Sequence, residues 1–420
     1  MKLKYLAACV ASLSFAVSTT VTADALTQMS KNLTTGATME DHTFIPQTGA
    51  KADNIREILK RITMPEGFNI ELYALVPDAR HMAMSPQGTV LIVGTRKNKV
   101  WAVSDRDRNG VADEVKDLAP AIDFDVPNGV AWSDDGFLYL AERNRVLVFD
   151  ALEFFYEGPD VVANVVVPQG ELIPAEEESY NHSARVIDVG PDNKLYISLG
   201  QPNNVFPPEK LDLYAELGIG GIIRMDRNGA NREVYTYGVR NSVGHDFHPV
   251  TGELWWTDNQ VDGMGNDIPA GELNRQTAAG QHFGFPYFGG GMTRTNEYMN
   301  FEPPTDVVHP AVETTAHCAD LGMTFYTKNQ FPKEYSNGIF HAQHGSWNRI
   351  EPCGARIMFT SIDDEGNASM RPFAEGWLDQ NGLYDGRPVD VIELKDGSML
   401  VSDDYAGAIY RITYTANKGS

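Results

Sequence analysis

The stretch YTYGVRNSVGHDFHPVTGELWWTDNQVDGMGNDIPAGELN, Tyr235 to Asn274, holds a β-unit and its flanking loops. Val243 and Phe247 stand either side of Asp246, Pro249-Val250-Thr251-Gly252 makes a turn, and Leu254-Trp255-Trp256 returns as an apolar strand. Arg240 and Asn241 precede the unit. Asp258, Asp262, Asp267 and Glu272 follow it in a glycine-broken loop. A guanidinium beside an amide, with carboxylates on the returning loop, suits an anionic ligand held next to a hard cation. Taken alone, the pattern reads first as a strand with solvated turns. The rest of the chain decides.

The same sentence recurs on both sides: an alternating strand, a Pro/Asp/Asn/Gly turn, a more apolar strand, and usually a third strand ending near Asp. One copy runs from His81 (HMAMSPQGTVLIVGTRKNKVWAVSD) and the next from Pro127 (PNGVAWSDDGFLYLAERNRVLVFD). A third starts at Ser183 (SARVIDVGPDNKLYISLG) and resumes at Gly221. The stretch above is the fourth. A fifth runs from Ala319 and closes with Ala355 to Asp363, and a sixth runs from Arg387 (RPVDVIELKDGSMLVSDDYAGAIYRITY). Six β-units without helical units between them predict an all-β fold, a six-bladed β-propeller. Paired β-sandwiches rarely repeat one internal sentence six times. The strand opening near Phe68 should complete the last blade and latch the ring. Long insertions are expected at Pro202 to Gly220 and Gln260 to Thr315, on the faces where ligands bind.

Three segments follow: a leader over 1–23, an arm over 24–61, and the propeller over 62–416. Lys2 and Lys4, the apolar Leu6 to Val17 and the small-residue site Val21-Thr22-Ala23 read as a secretory signal, so a periplasmic or secreted protein is expected. Leu6-Ala7-Ala8-Cys9 falls too early for a lipid anchor. No later run is long enough to span a bilayer. In the arm, Asp53 is expected to cap a short helix to Arg61, with Ile55, Ile58 and Leu59 on one face. The 420-residue chain carries a net charge of −23, and loss of the two leader lysines makes it more negative. Such a surface repels nucleic acid and anionic membrane. After loss of Cys9, Cys318 and Cys353 remain, an even pair for which an oxidising compartment predicts a disulfide.

Chemistry-bearing residues cluster at corresponding places in the units. His182 precedes the third, Arg240 and Asn241 the fourth, and Arg387 the sixth; Arg96 ends a strand of the first. The fifth carries His341-Ala342-Gln343-His344-Gly345-Ser346-Trp347-Asn348-Arg349. In a propeller these ends converge near the axis. Converging cations in an acidic protein describe a pocket for a small polyanion, with His182 as candidate general base.

Together NHSARVIDVGPDNKLYISLG, YGVRNSVGHDFHPVTGELWWTDN, DGMGNDIPAGELN, LGMTFYTKNQFP, HGSWNR and GRPVDVIELKDGSMLVSDD resemble the soluble quinoprotein sugar dehydrogenases of the glucose/sorbosone dehydrogenase family, over about Phe68 to Tyr414. The resemblance implies a six-bladed propeller, pyrroloquinoline quinone (PQQ) as cofactor and Ca²⁺ on the quinone. It implies His182 as base, with Arg240 and Asn241 on the quinone. His344, Arg349 and Arg387 fall near the cofactor carboxylates, and Arg96 matches one more position of the cofactor site. Asp262 and Asp267, with backbone near Gly265, are the nearest metal ligands. Gly271 stands where the glucose-oxidising branch has an Asp. The substrate would be a sugar hydroxyl or aldehyde hydrate, with a cytochrome or quinone taking the electrons.

Other functions remain open: a metal-dependent lactonase on a propeller, against which the arginines argue, or a propeller binding module that has lost its chemistry. Separately, Asp105-Arg106-Asp107-Arg108-Asn109-Gly110, continuing to Asp113 and Glu114, follows a calcium-loop spacing, except that Lys116 stands at position 12. An ion there would be structural.

Overall fold

Short strands that expose an apolar face must stack that face on a neighbouring sheet. In the structure, a computed structural model describing residues 33–35, 41–158 and 161–416, they do so as six antiparallel sheets forming a six-bladed β-propeller. Blade 1 comprises Met82–Met84, Leu91–Val93, Trp101–Ser104 and Glu114–Asp117. Blade 2 comprises Gly129–Trp132, Leu138–Ala141, Val146–Phe149 and Val162–Val167, with Leu33–Thr35 at its edge. Blade 3 comprises Ile187–Val189, Lys194–Leu199, Gly221–Asp226 and Glu233–Tyr237. Blade 4 comprises Gly244–Phe247, Leu254–Asp258, Gly271–Gln276 and Val312–Thr314. Blade 5 comprises Asp320–Phe325, Ile339–Gln343, Arg356–Ile362 and Ala368–Glu375. In blade 6, Pro388–Glu393, Met399–Asp403 and Ala408–Tyr414 are completed by Phe68–Leu75 from the other end of the chain.

Each repeat read from the sequence supplies the inner strands of one blade. The latch pairs Phe68 with Tyr414 and Leu75 with Ala408. Two expectations need correction. The segment Gln260 to Thr315 is not one insertion, because the third and fourth strands of blade 4 lie inside it. Glu272 is therefore a strand residue and fully enclosed. The helix in the arm spans Ala50–Leu59 with Gly49 at its N-cap, so Asp53 sits in its first turn and ion-pairs with Arg56. Its buried face is Ala52, Ile55, Ile58 and Leu59. The leader lies outside the described residues, among which no helix is long and apolar enough to cross a membrane.

Packing between blades explains the double tryptophan. Successive strand residues face opposite sides. Trp256 turns toward blade 3 and a loop, with its ring 4.4 Å from that of Phe283. Trp255 turns toward Met323 and Phe325 of blade 5. Where neighbouring inner strands pass one another, two glycines leave no room for a side chain. A Cβ on Gly244 would lie 2.2 Å from the Leu321 carbonyl, and one on Gly322 would lie 2.0 Å from Asp390 Oδ1.

Cys318 and Cys353 form the expected disulfide, with Cα atoms 5.4 Å apart. Denatured, unreduced protein exported to an oxidising compartment should therefore titrate no free thiol, and two after reduction. Phe68 tests the latch, since its half-buried ring lies 4.8–5.3 Å from those of Phe331, Tyr335, Phe373 and Tyr414. Phe68→Ala should lower the unfolding free energy in urea by roughly 2–3 kcal/mol, somewhat less than for a fully enclosed Phe. An unchanged midpoint would mean that the latch is dispensable.

Candidate functional site

The loops that lead into the inner strands, and those that leave the second strands, meet on one face around a cavity of about 220 Å³. Its wall includes His182, Arg240 and Asn241 from the first group of loops, and Gln260 and His344 from the second. Arg96, which follows the second strand of blade 1, also lines it. The structure thus brings together five of the cofactor and catalytic residues expected from sequence, and Asp262 of the metal set.

His182 takes a left-handed backbone conformation (φ 52°), which swings its ring back against its own blade. Its Nδ1 lies 2.6 Å from the Gln201 carbonyl oxygen. A carbonyl only accepts, so the proton sits on Nδ1 and Nε2 keeps its lone pair. Burial pushes the imidazole down to about 4, and Arg240 and Arg96 push it the same way against the Gln201 bond. The ring is a neutral acceptor at any ordinary pH.

Arg240 is held by the Asn204 and Asn259 carbonyls, the Asn204 side chain and Asp262 at 3.2 Å. The Asp258 carboxylate takes the backbone N–H groups of both Arg240 and Asn241 at 2.9 and 2.7 Å. Arg96 stacks 4.9 Å from the Tyr180 ring centre. Opposite, His344 Nε2 lies 2.8 Å from Asp404 Oδ1, and Arg80 donates to Asp404 Oδ2 at 2.6 Å. The His344 ring and the Arg80 guanidinium hold the Asp404 carboxyl far below its usual range against its burial. Burial lowers His344 despite its carboxylate partner.

Four nominated residues lie elsewhere. Asp267 is 84% exposed and pairs with Arg349. Gly265 gives its carbonyl to His317. Arg349 is spent on the carbonyls of Asn266 and Ala316, and Arg387 on those of His344 and Gly345. Both arginines brace the backbone of the wall and do not face the cavity. The disulfide does similar work, because the Cys318 carbonyl takes the Gly345 N–H at 2.9 Å.

Reading the sequence missed Arg80, Asp404 and His317, and named Asp258 and Asn348 without giving either a specific role. Arg80 had a signal: it precedes the inner strand of its blade, as Arg240 and Arg387 precede theirs. Asp258 and Asp404 work through backbone amides and neighbouring side chains, which a motif does not display. The calcium-type loop lies apart, with Asp105, Asp107 and Asp113 oxygens within 4.8 Å of one another. Those carboxylates accept N–H groups of Arg106, Asn109 and Gly110.

Several buried polar atoms on the wall have no hydrogen-bond partner: Asn241 Oδ1, Asn348 Oδ1 and Arg96 Nε. Unsatisfied groups of this kind mark a place where a polar ligand completes the bonding. Three guanidinium groups, three imidazoles and free amide oxygens around one cavity can hold a small polyanion and a cation together, with a neutral base alongside.

The family model described as "Glucose / Sorbosone dehydrogenase" matches residues 171–344, which include His182, Arg240, Asn241 and His344. An uncharacterized protein of Borreliella burgdorferi is 32% identical over 369 residues, covering 85% of this chain and 92% of that protein. Among solved structures, the holo form of the pyranose dehydrogenase PQQ domain of Coprinopsis cinerea aligns with a TM-score of 0.67 at 16% identity, covering 84% of this chain and 97% of that one. The calcium structure of a Trichoderma reesei carbohydrate-active enzyme gives 0.68 at 19% identity, over 84% and 97%.

The enclosed carboxyls beside the pocket set a pH dependence. Burial, then the neighbouring Asp258, raises Glu272 to about 8, and burial raises Asp258 to about 6. Between pH 6 and 9 the folded state retains protons that the unfolded chain has already released, so stability falls as pH rises. The melting temperature of ligand-free protein should drop over that range, and Glu272→Gln should flatten the slope. A slope unaltered in the variant would show that Glu272 is ionised when folded.

Proposed function

The chain belongs to the glucose/sorbosone dehydrogenase family, and on that premise we propose that it is an exported PQQ-dependent dehydrogenase oxidising a sugar hydroxyl or aldehyde hydrate. The observation that carries this reading is the convergence of Arg80, Arg96 and Arg240 with His182 and His344 on one cavity whose wall still has unpartnered polar atoms. The donor set fits the group. Arg96, with Nε unused, and the fixed charges of Arg80 and Arg240 suit a cofactor bearing three carboxylates. Asn241 Oδ1, Asn348 Oδ1 and Asp262 are oxygens of the class that Ca²⁺ takes. When bound, PQQ with its Ca²⁺ supplies a polarised two-electron acceptor.

The chain's own residues supply the rest. His182 Nε2 accepts the substrate hydroxyl proton as the carbon gives up hydride. The Gln201 carbonyl fixes the ring and its tautomer, and burial keeps it neutral. Arg240 and Arg96, close to that ring, disfavour the imidazolium and so favour passing the proton on. Asp258 holds the Arg240-Asn241 backbone in place, and Asp404 does the same for Arg80 and His344. The leader read from Lys2 to Ala23 supports export. Electrons would leave to a cytochrome or quinone.

Titrating PQQ with Ca²⁺ into the mature protein should raise its melting temperature, and a sugar panel with a dye acceptor should then reveal turnover. A flat melting temperature would sink this reading. His182→Ala should keep PQQ affinity but lose roughly 10²- to 10⁴-fold in turnover. The acid limb of the wild-type rate should lie below the ordinary histidine value of 6.5 and vanish in the variant. Arg240→Ala should instead weaken PQQ binding. Full turnover in His182→Ala with an unchanged pH profile would place the base elsewhere.

A further inference from the structure

On the propeller axis, deeper than the pocket above, the inner strands enclose a second cavity of about 140 Å³. Asp188 of blade 3, His245 and Asp246 of blade 4, Thr324 of blade 5, Asp390 of blade 6 and His81 before blade 1 line it. None of these takes part in the chemistry proposed above. Most have clear bonding duties. Asp246 accepts the N–H groups of Phe325 and Phe247 at 2.8 and 2.7 Å, and Thr324 donates weakly to it. Asp390 accepts Met82 N–H at 2.9 Å, and His81 Nε2 lies 2.9 Å from the Val243 carbonyl.

His245 is different. Its side chain is wholly enclosed, yet neither ring nitrogen has a hydrogen-bond partner. Nε2 lies 3.2 Å from Asp188 Oδ2, close enough for an ion pair but without the alignment of a hydrogen bond. Two ligands each about 2.1 Å from one ion, at angles between octahedral and tetrahedral, stand about 3.0–3.4 Å apart. The pair has the spacing of neighbouring ligands in one coordination sphere. Among the described residues, no Lys or Arg forms an ion pair with Asp188, Asp246 or Asp390.

We propose that this axial cavity binds a first-row divalent metal ion, ligated by His245 Nε2 and Asp188 Oδ2 and completed by water. Asp246 and Asp390 face it as further negative charge, acting through that water. An imidazole with carboxylate and water favours Zn²⁺-like ions over Ca²⁺, which prefers oxygen alone. A cation there would lie among carboxylates that no Lys or Arg of the described residues pairs with, beside an enclosed ring whose two nitrogens have no partner. The ion would sit on the line that all six blades share, tying blades 3 and 4 together directly.

The test uses chelator-treated mature protein and Zn²⁺ alone, without PQQ. Crystals soaked in Zn²⁺ should show an anomalous peak between His245 and Asp188. A channel holding only water, or peaks confined to the Asp105–Asp113 loop or the cofactor pocket, would overturn the proposal. In solution, stoichiometric Zn²⁺ should raise the melting temperature of wild type and of Asp105→Asn. In His245→Gln the affinity should fall by at least about 100-fold, while stabilisation by PQQ with Ca²⁺ persists. An unchanged Zn²⁺ response in His245→Gln would refute the assignment. Should that variant not fold, Asp188→Asn carries the same comparison, and the crystal measurement stands on wild type alone.

Discussion

Everything in this molecule depends on one hydrogen-bonded seam, the pairing of Phe68–Leu75 with Ala408–Tyr414. A propeller that ended on Ala408–Tyr414 would present an open strand edge and an unfilled gap beside blade 5. Lending an N-terminal strand to the C-terminal blade pairs the backbone of Ala408–Tyr414 and ties the two ends of the chain together, closing the ring at six blades. Once the circumference is fixed, the distance between loops on opposite blades is fixed too. That is why Arg80, His182, Arg240 and His344, separated by up to 264 positions in the chain, can share one cavity.

Within the closed ring, the blades are stitched by carboxylates that accept backbone amides. Asp246 of blade 4 takes Phe325 N–H of blade 5, and Asp390 of blade 6 takes Met82 N–H of blade 1. Asp258 and Asp403 use the same device within their blades, holding the Arg240-Asn241 and Arg387 backbones. Each such contact satisfies donors that a tight turn would otherwise leave bare. The cost is desolvation, and it appears as raised carboxyl values at Asp246, Asp258, Asp390 and Asp403. The rigidity of the site and its pH sensitivity have one origin.

The inner two strands of every blade were legible in the sequence, because enclosed strands such as Leu254–Asp258 and Met399–Asp403 must be apolar and bounded by turns. Apart from the latch strand at Phe68, the outermost strands were not, since Glu233–Tyr237 and Ala368–Glu375 face solvent on one side and carry little apolar signal. The third strand of blade 4 was mistaken for part of an insertion for a different reason: its Glu272 and Asn274 are polar and nevertheless enclosed. In the site, several residues that present a side chain to the cavity were legible, His182 and Arg240 first among them, whereas Arg80 and His317 were passed over. Arg349 and Arg387 have the right type and the right blade end, but their guanidinium groups reach backbone carbonyls first. Residue type and position in the repeat therefore fix which loop a residue belongs to. They do not fix which way it points.

That distinction also separates His182 from His344 in the pocket. His182 leans on a neutral carbonyl and stands close to Arg240 and Arg96, so its proton-bearing form is disfavoured and its free nitrogen is poised to accept and release. His344 leans on Asp404, a carboxylate it shares with Arg80, and its Nε2 is already committed to that contact. A general base must take a proton and then lose it, which favours the ring whose charged form nothing nearby stabilises. An anchor for an anionic ligand must keep its place and its polarity as the ligand comes and goes, which favours the ring locked to Asp404. Under the proposed function the same residue type would serve two ends in one cavity, and the neighbour of each ring, a carbonyl for one and a carboxylate for the other, would decide which.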